Sequence, residues 1–451
     1  MKLRIAQFAV IAVFTLLMPA CVKPTGAIPT SQVPSLNTPV NPPGELAITS
    51  KNAFSDRDGN YRVVGLVVNN TNEVLSSIAL AVEIKDESGN SMLKDDNGNR
   101  APSTIIYPLL YTIAPGEASP FIYSFDTTNG VPASYNVTIS SHQTGNANRA
   151  TLQWEKVQIV DDGSGWSYLT GELVNKGSQW AHINSLAGGV VDDSNALLSA
   201  DWTSTYTTEL APGGDALGRD RTPFEVNFPN PGGATQWKLY WDADIIDNVT
   251  DYPLEAITTN LYFDQYGSAH LIGWMTNQSS QVLDSLVIAG LQAADGTVLD
   301  SSYAYIPIPI KPGATAPFSV SAFGSVNYNA KQASAVVNAS AQADPWFTSP
   351  PTSESVELTA SNETVQKNGA TWIINGSVNN TSGKDLSGAT VVVMVMDPQN
   401  KLIAMEYASI SPAGAAIVAG ETYPYSISIM LDPAADSTSF TTTTLVIGDI
   451  K

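Results

Sequence analysis

The sequence predicts an all-β chain built as four tandem blocks of about a hundred residues, each a two-sheet sandwich. Three observations predict it. A Gly-x-apolar-x-Asn segment occurs four times, as GLVVN at 65–69, GELVN at 171–175, GWMTN at 273–277 and GSVNN at 376–380. Apolar residues alternate with polar ones in short runs, as at Ile78, Leu80, Val82 and Ile84, which is the period of a strand with one face on a core. No stretch beyond the N-terminus keeps the 3.6-residue apolar stripe of a surface helix.

From the N-terminus inward, Lys2 and Arg4 precede an almost wholly apolar run at 5–18. Fourteen residues at helical rise cover roughly 21 Å, short of a ~30 Å hydrocarbon core. Residues 1–21 are therefore expected to be a cleaved secretion signal. Cys21 is the sole cysteine and follows Ala20 directly, so no intramolecular disulfide can form. It resembles the lipid-accepting cysteine of bacterial lipoproteins, with Met18 and Pro19 departing from the usual pattern. Lipidation at Cys21 and ordinary cleavage near Ala20 both stay open. Residues 22–43, dense in Pro, Thr and Ser, cannot bury a core and read as an extended linker.

Each repeat carries further marks. An acidic turn follows the asparagine in every copy, at Asp86, Asp192, Asp295 and Asp397. A Gly turn then leads to a proline–aromatic pair: Pro120-Phe121, Pro223-Phe224, Pro317-Phe318 and Pro424-Tyr425. Repetition at this period, with each copy long enough for its own core, means tandem domains rather than a short-repeat solenoid. The expected blocks are 44–145, 150–248, 253–343 and 354–450, with 344–353 a proline-stiffened joint. In the last block Val392 and Met394 are apolar as well as Val391, Val393 and Val395, which predicts cover on both faces of that strand. A glycine inside a strand weakens it unless the strand bulges or something packs against the backbone there, and close packing is the reading that explains four occurrences. Asparagine ending the strand suits a corner, because it tolerates left-handed geometry and hydrogen-bonds its own turn.

Taken in order, Gly-x-Val-x-Asn, alternating strand, Asp-x-x-Gly turn, Pro-Gly-Glu and Pro-Phe resemble the FxLYD-like immunoglobulin-type domains of bacterial envelope proteins. The residues that carry the likeness best are Gly65, Val67, Asn69, Pro115, Gly116, Glu117 and Phe121, then Gly273, Asn277, Pro312, Gly313, Phe318 and Val320. Copies two and four depart from the Pro-Gly-Glu step. The resemblance implies four tandem immunoglobulin-like β-sandwich domains in an extended array, an extracytoplasmic location and no catalytic residues. Blocks joined end to end would form a rod of roughly 150 Å.

Candidate chemistry is sparse. A formal net charge of −21 argues against nucleic acid and against adsorption on an anionic membrane surface. The three histidines, His142, His182 and His270, fall in different blocks, so a histidine-rich zinc site is not expected. Asp56, Asp58 and Asn60 have the spacing that opens an oxygen-ligand calcium loop, and equally that of a polar turn. Six of the nine tryptophans lie in the second block. Trp237 and Trp241 share parity with Leu239 and are expected in the core with Trp154. Trp180 and Trp202, flanked by polar residues, are the candidates for exposure and for stacking on a sugar. The function expected is a non-enzymatic cell-surface or periplasmic spacer, scaffold or adhesion module. It would be tethered to the membrane by a lipid anchor and would meet a cell-wall glycan or a surface protein. The alternative is carbohydrate binding through the second block, with or without calcium.

Overall fold

The computed structural model describes residues 44–451 except 147, 162, 206, 248, 322, 324–335, 344–347, 412–415 and 436, and leaves the side chains of 129, 258 and 336–343 undescribed. The signal segment, Cys21 and the 22–43 linker lie outside the described residues.

The chain is all-β, built from several small antiparallel sheets. Its strands fall into four successive groups, here called units 1 to 4. In unit 1, β1 (Leu46–Ser55), β2 (Asn60–Asn69) and β6 (Ala118–Asp126) form one sheet, and β3 (Leu75–Lys85) pairs β4 (Thr104–Ile106), β5 (Thr112–Ile113) and β7 (Ser134–Thr144) in another. In unit 2, β8 (Leu152–Asp161), β9 (Trp166–Asn175) and β13 (Arg221–Pro229) form one sheet. Its second sheet joins β10 (Trp180–Val191) to β11 (Leu197–Thr203), β12 (Glu209–Leu210) and β14 (Gln236–Ile246). In unit 3 the corresponding sheets are β15 (Leu254–Phe263), β16 (Ala269–Asn277) and β19 (Thr315–Val320), then β17 (Leu286–Ala293), β18 (Val298–Tyr305) and β20 (Val336–Ala343). Unit 4 merges its strands into one six-stranded sheet. These are β21 (Ser355–Asn368), β22 (Thr371–Asn379), β23 (Leu386–Met396), β24 (Leu402–Ile410), β25 (Thr422–Met430) and β26 (Thr441–Ile450). Their order, β24-β23-β26-β21-β22-β25, brings β24 back beside β25, so the sheet nearly closes as a barrel.

The repeated glycine is forced by packing. Gly65 pairs directly with Phe121, Gly171 with Phe224, Gly273 with Phe318 and Gly376 with Tyr425. A Cβ on any of the four would come within 2.5 to 2.9 Å of that ring. The glycine and the proline–aromatic pair, some 50 residues apart in sequence, are thus one cross-strand contact. Beside each glycine the first strand of the unit slips register, at Ile48/Ser50, Glu155/Gln158, Ile257/Asn260 and Ser361/Thr364. Close packing and a bulge occur together, and the bulge makes room for the ring.

The repeated asparagine closes a corner in the same way four times, and all four side chains are buried. Asn69 Nδ2 donates to the carbonyls of Glu73 (2.7 Å) and Ile113 (2.8 Å), and its Oδ1 accepts from Thr71 N–H. Asn277 and Asn380 reproduce this with Gln281, Ile310 and Ser279, and with Lys384, Ile417 and Ser382. Asn175 does so with Gln179, Ala211 and Gly177. A buried amide that satisfies two carbonyls and one N–H fixes the path between the two sheets.

Inward residues of the central strands form the cores, as the alternation predicts: Ile78, Leu80, Val82 and Ile84 in unit 1, and Val391, Val393 and Val395 in unit 4. The strand that 440–447 suggested is β26, which pairs β23 and β21 of its own unit. Of the expected joint at 344–353, Thr348 and Ser349 dock on unit 3, where Thr348 Oγ1 meets Ser285 Oγ at 2.7 Å and Ser349 bridges Asp284.

Successive units meet through sheet faces, where the sequence suggested self-contained blocks end to end. The cause is apolar residues on both faces of β2. Val63 and Val67 point into the unit 1 core, while Val64 and Leu66 join Leu110, Ala187, Val191, Leu197, Ala200 and Tyr240 in a core shared by units 1 and 2. The β16 and β19 strands of unit 3 pack on β24 of unit 4, and one apolar cluster runs through both units. Val392 and Met394 are buried in that cluster alongside Val391. Between units 2 and 3, β18 lies against β9 and β13.

Candidate functional site

Three junctions and one groove hold the residues with chemical character. At the first junction Asp242 of β14, wholly buried, accepts from Thr112 N–H (2.8 Å), from Thr112 Oγ1 (2.6 Å) and from the Arg149 guanidinium. Arg149 also reaches Glu117 at 3.3 Å. One ion-pair network therefore ties β5, the 117 turn, the inter-unit segment and β14 together. At the second junction Glu172, next to Gly171 on the outer face of β9, is buried among Lys156 (3.0 Å), Arg221 (3.3 Å) and Gln292 of unit 3 (2.7 Å). Thr170 Oγ1 and Gln158 Nε2 both donate to the Val298 carbonyl of unit 3. At the third, Tyr262 OH donates to the Met430 carbonyl and Lys401 Nζ to Asn260 Oδ1.

The outer faces change character at the two ends. Beside the repeated glycine stand Val64 and Leu66 in unit 1, Thr170 and Glu172 in unit 2, and Ile272 and Trp274 in unit 3, each turned to the neighbouring unit, while Asn375 and Ser377 hold these positions in unit 4, the last in the series. On the outer face of β3 in unit 1 stand Glu83 and Lys85, paired with each other at 2.8 Å. Polar end faces are what stops a stack of repeats from growing.

The carboxylates of the acidic turns are spent on the turns. Asp56 Oδ1 accepts from Asp58 N–H and Asn60 N–H, while Oδ2 accepts from Arg62 Nε at 2.7 Å and Asn60 Nδ2 at 3.3 Å. Burial alone would raise the Asp56 pKa; the hydrogen bonds from Arg62 and Asn60 and the Arg62 charge outweigh it and hold the group below its ordinary value. Asp86, Asp95, Asp192, Asp264 and Asp397 accept from two N–H groups in the same pattern. Asp58 is beside Arg57 on the surface and brings no second carboxylate to Asp56. Among the described residues no group of three or more His, Cys, Asp or Glu could hold a metal ion. His270 stacks on Tyr262 and meets Asp264 at 3.1 Å, apart from the other two histidines.

The tryptophans divide. Leu239 is buried, and Trp237 and Trp241 pack against the same core, both edge-on to Trp154 at 6.4 and 4.9 Å. Trp180 is half-buried with the Arg219 guanidinium 5.8 Å from its ring. Trp202 is 58% exposed. It lines a groove of about 290 Å³ together with Tyr111, Leu109, Asn184, Ser185 and Thr208. The groove thus lies between units 1 and 2, and Tyr111 is its residue that the sequence did not single out. Exposed large side chains also recur at the register position of Trp202. Trp202 pairs with Ala187, and the matching pairs are Ile105 with Ala81, Tyr303 with Ile288 and Tyr407 with Val392.

Neither family models nor curated proteins match the chain. Among solved structures it aligns with dimeric latent PorU from Porphyromonas gingivalis, at 13% identity, 62% of this chain, 30% of that one and a TM-score of 0.13. It also aligns with Escherichia coli alpha-2-macroglobulin activated by porcine elastase, at 11% identity, 90% of this chain, 44% of that one and the same TM-score of 0.13. The chain spans less than half the length of either, and at these TM-scores the likeness carries no argument.

Proposed function

We propose that the chain is four tandem immunoglobulin-like β-sandwich units of the FxLYD type and acts without catalysis, as a spacer, scaffold or adhesion module of the cell envelope. The observation that carries this reading is the way the units join. Buried apolar and ionic contacts lock each sheet face to the next unit, and polar faces close both ends. Such a body transmits position and resists bending, which is what a spacer has to do. The N-terminal apolar run and Cys21 support a location outside the cytoplasm with a lipid on the cysteine. Mass spectrometry of the mature N-terminus tests this: loss of residues 1–20 with a lipid adduct on Cys21 is the expected result. An unmodified terminus elsewhere removes the membrane tether.

A second reading, carbohydrate binding by the second unit, is favoured by one observation, the exposed indole of Trp202 at the rim of a groove. Trp180, with a cation on its ring, supports it less.

A further inference from the structure

We propose that the groove between units 1 and 2 binds one ring of a neutral glycan, held between Trp202 and Tyr111, so that the site exists only when the two units are joined. The inference rests on the carbohydrate reading and adds to it the second wall, the ligand's charge and the dependence on the junction.

The first argument is the pair of aromatics. Tyr111, at 70% exposure, and Trp202, at 58%, are among the most exposed large side chains of the molecule, and they come from different units to line one groove. Large aromatic surface left in water at a concave site marks a place where something apolar is meant to lie. The C–H faces of a sugar ring match such surfaces, and the ring's hydroxyl edges then need polar partners.

Those partners are the second argument. Asn184, Thr203, Ser204, Thr205 and Thr208 line the groove and place uncharged amide and hydroxyl side chains along it. Amide and hydroxyl groups both donate and accept hydrogen bonds, as the hydroxyls of a sugar ring require. The third argument is charge. None of the residues lining the groove is ionisable at neutral pH, and the chain carries a formal net charge of −21. A uronic or phosphorylated ring would find no cation there and would be repelled at long range. An uncharged hexose ring fits the lining.

The site depends on the junction because Tyr111 belongs to unit 1 and Trp202, Ser185 and Thr208 to unit 2. Thr112, next to Tyr111, is fixed to β14 through Asp242. Tyr303 and Tyr407 share the register position of Trp202 and act as internal controls.

The test uses the full chain, titrated by calorimetry and by tryptophan fluorescence. Its probes are neutral gluco- and manno-oligosaccharides of two to six rings, with an oligogalacturonide as the charged probe. Binding of a neutral oligosaccharide is expected, lowered at least tenfold by Trp202→Ala and by Tyr111→Ala, partly restored in Trp202→Phe and unchanged in Tyr407→Ala. Both truncated side chains are exposed, so circular dichroism and the melting temperature should match those of the parent chain. Binding of neutral sugar that survives both truncations overturns the groove and leaves the carbohydrate reading standing. No binding of any probe at millimolar concentration overturns both. Preference for the charged probe overturns the inference about ligand charge.

Discussion

Replacing Asp242 by alanine should unlock the first junction. Its carboxylate is wholly buried and holds three donors, Thr112 N–H at 2.8 Å, Thr112 Oγ1 at 2.6 Å and the Arg149 guanidinium. Truncation leaves the Thr112 N–H without its acceptor, a loss of roughly 1–3 kcal/mol. It also removes one partner of a buried ion pair, for which about 3–5 kcal/mol is usual. The two figures overlap, because they count the same carboxylate, and Arg149 keeps Glu117 at 3.3 Å. The low end, about 3 kcal/mol, is therefore expected. Arg149→Met should cost less, since Asp242 then retains both Thr112 donors, and the double variant should show coupling of about 1–3 kcal/mol. Native-state hydrogen exchange on the full chain reads the effect locally. Peptides covering β5, the 117 turn and β14 should exchange roughly a hundredfold faster in Asp242→Ala, while β22 and β25 stay unchanged. A change below threefold at the junction, or a loss shared equally by unit 4, would refute the assignment of Asp242 as the tie between units 1 and 2.

Two further outcomes follow from the same contacts. Gly376→Ala places a Cβ 2.5 Å from Tyr425 Oη and meets only Tyr425 atoms among its nearest neighbours, so overpacking should cost about 1–3 kcal/mol. Tyr425→Leu in the same chain should recover much of that loss by exchange protection of unit 4, and strictly additive losses would contradict the pairing. Acid should weaken the fold through the acidic turns. Hydrogen bonds hold Asp56, Asp215 and Asp264 below the ordinary 3.8 despite burial. A depressed carboxylate contributes fully above its unfolded pKa and loses that contribution as pH falls through the lower folded value. Thermal stability should drop from about pH 4 downward, less steeply in Asp56→Asn, and a flat profile between pH 4 and 2 would contradict the assignment. Asp201 runs the other way: burial raises it against the hydrogen bond from Trp202 N–H, so its charge weighs against the fold at neutral pH.

What could be read in the sequence were the features that recur. Glycine, asparagine and the proline–aromatic pair mark positions with no alternative side chain, so four copies preserved them and the spacing displayed them. The pairing of Gly65 with Phe121 was not visible, because strand partners distant in sequence leave no periodic trace. The face-to-face junctions left one signal. The unbroken run Val63-Val64 and Leu66-Val67-Val68 has apolar residues of both parities, as a strand buried on both faces must. The same signal at Val391 to Val395 pointed correctly to cover on both faces. The ionic contacts of the junctions between units 1 and 2 and between units 2 and 3 left no signal, since Arg149, Asp242 and Glu172 are charged and read as surface. Trp202 was legible from its polar neighbours. Tyr111 was not, because the groove that it lines has its other wall in another unit.

Small-angle X-ray scattering of residues 44–451 tests the central claim most directly. The six sheets of units 1 to 3 and the two walls of the unit 4 barrel, stacked at about 10 Å spacing with strands some 35 Å long across them, give a maximum dimension of about 90 Å. Four sandwiches joined only at their tips would extend to roughly 150 Å. A single species near 90 Å is the expected result. A distance distribution reaching 150 Å, or one that broadens as the units swing independently, would contradict it.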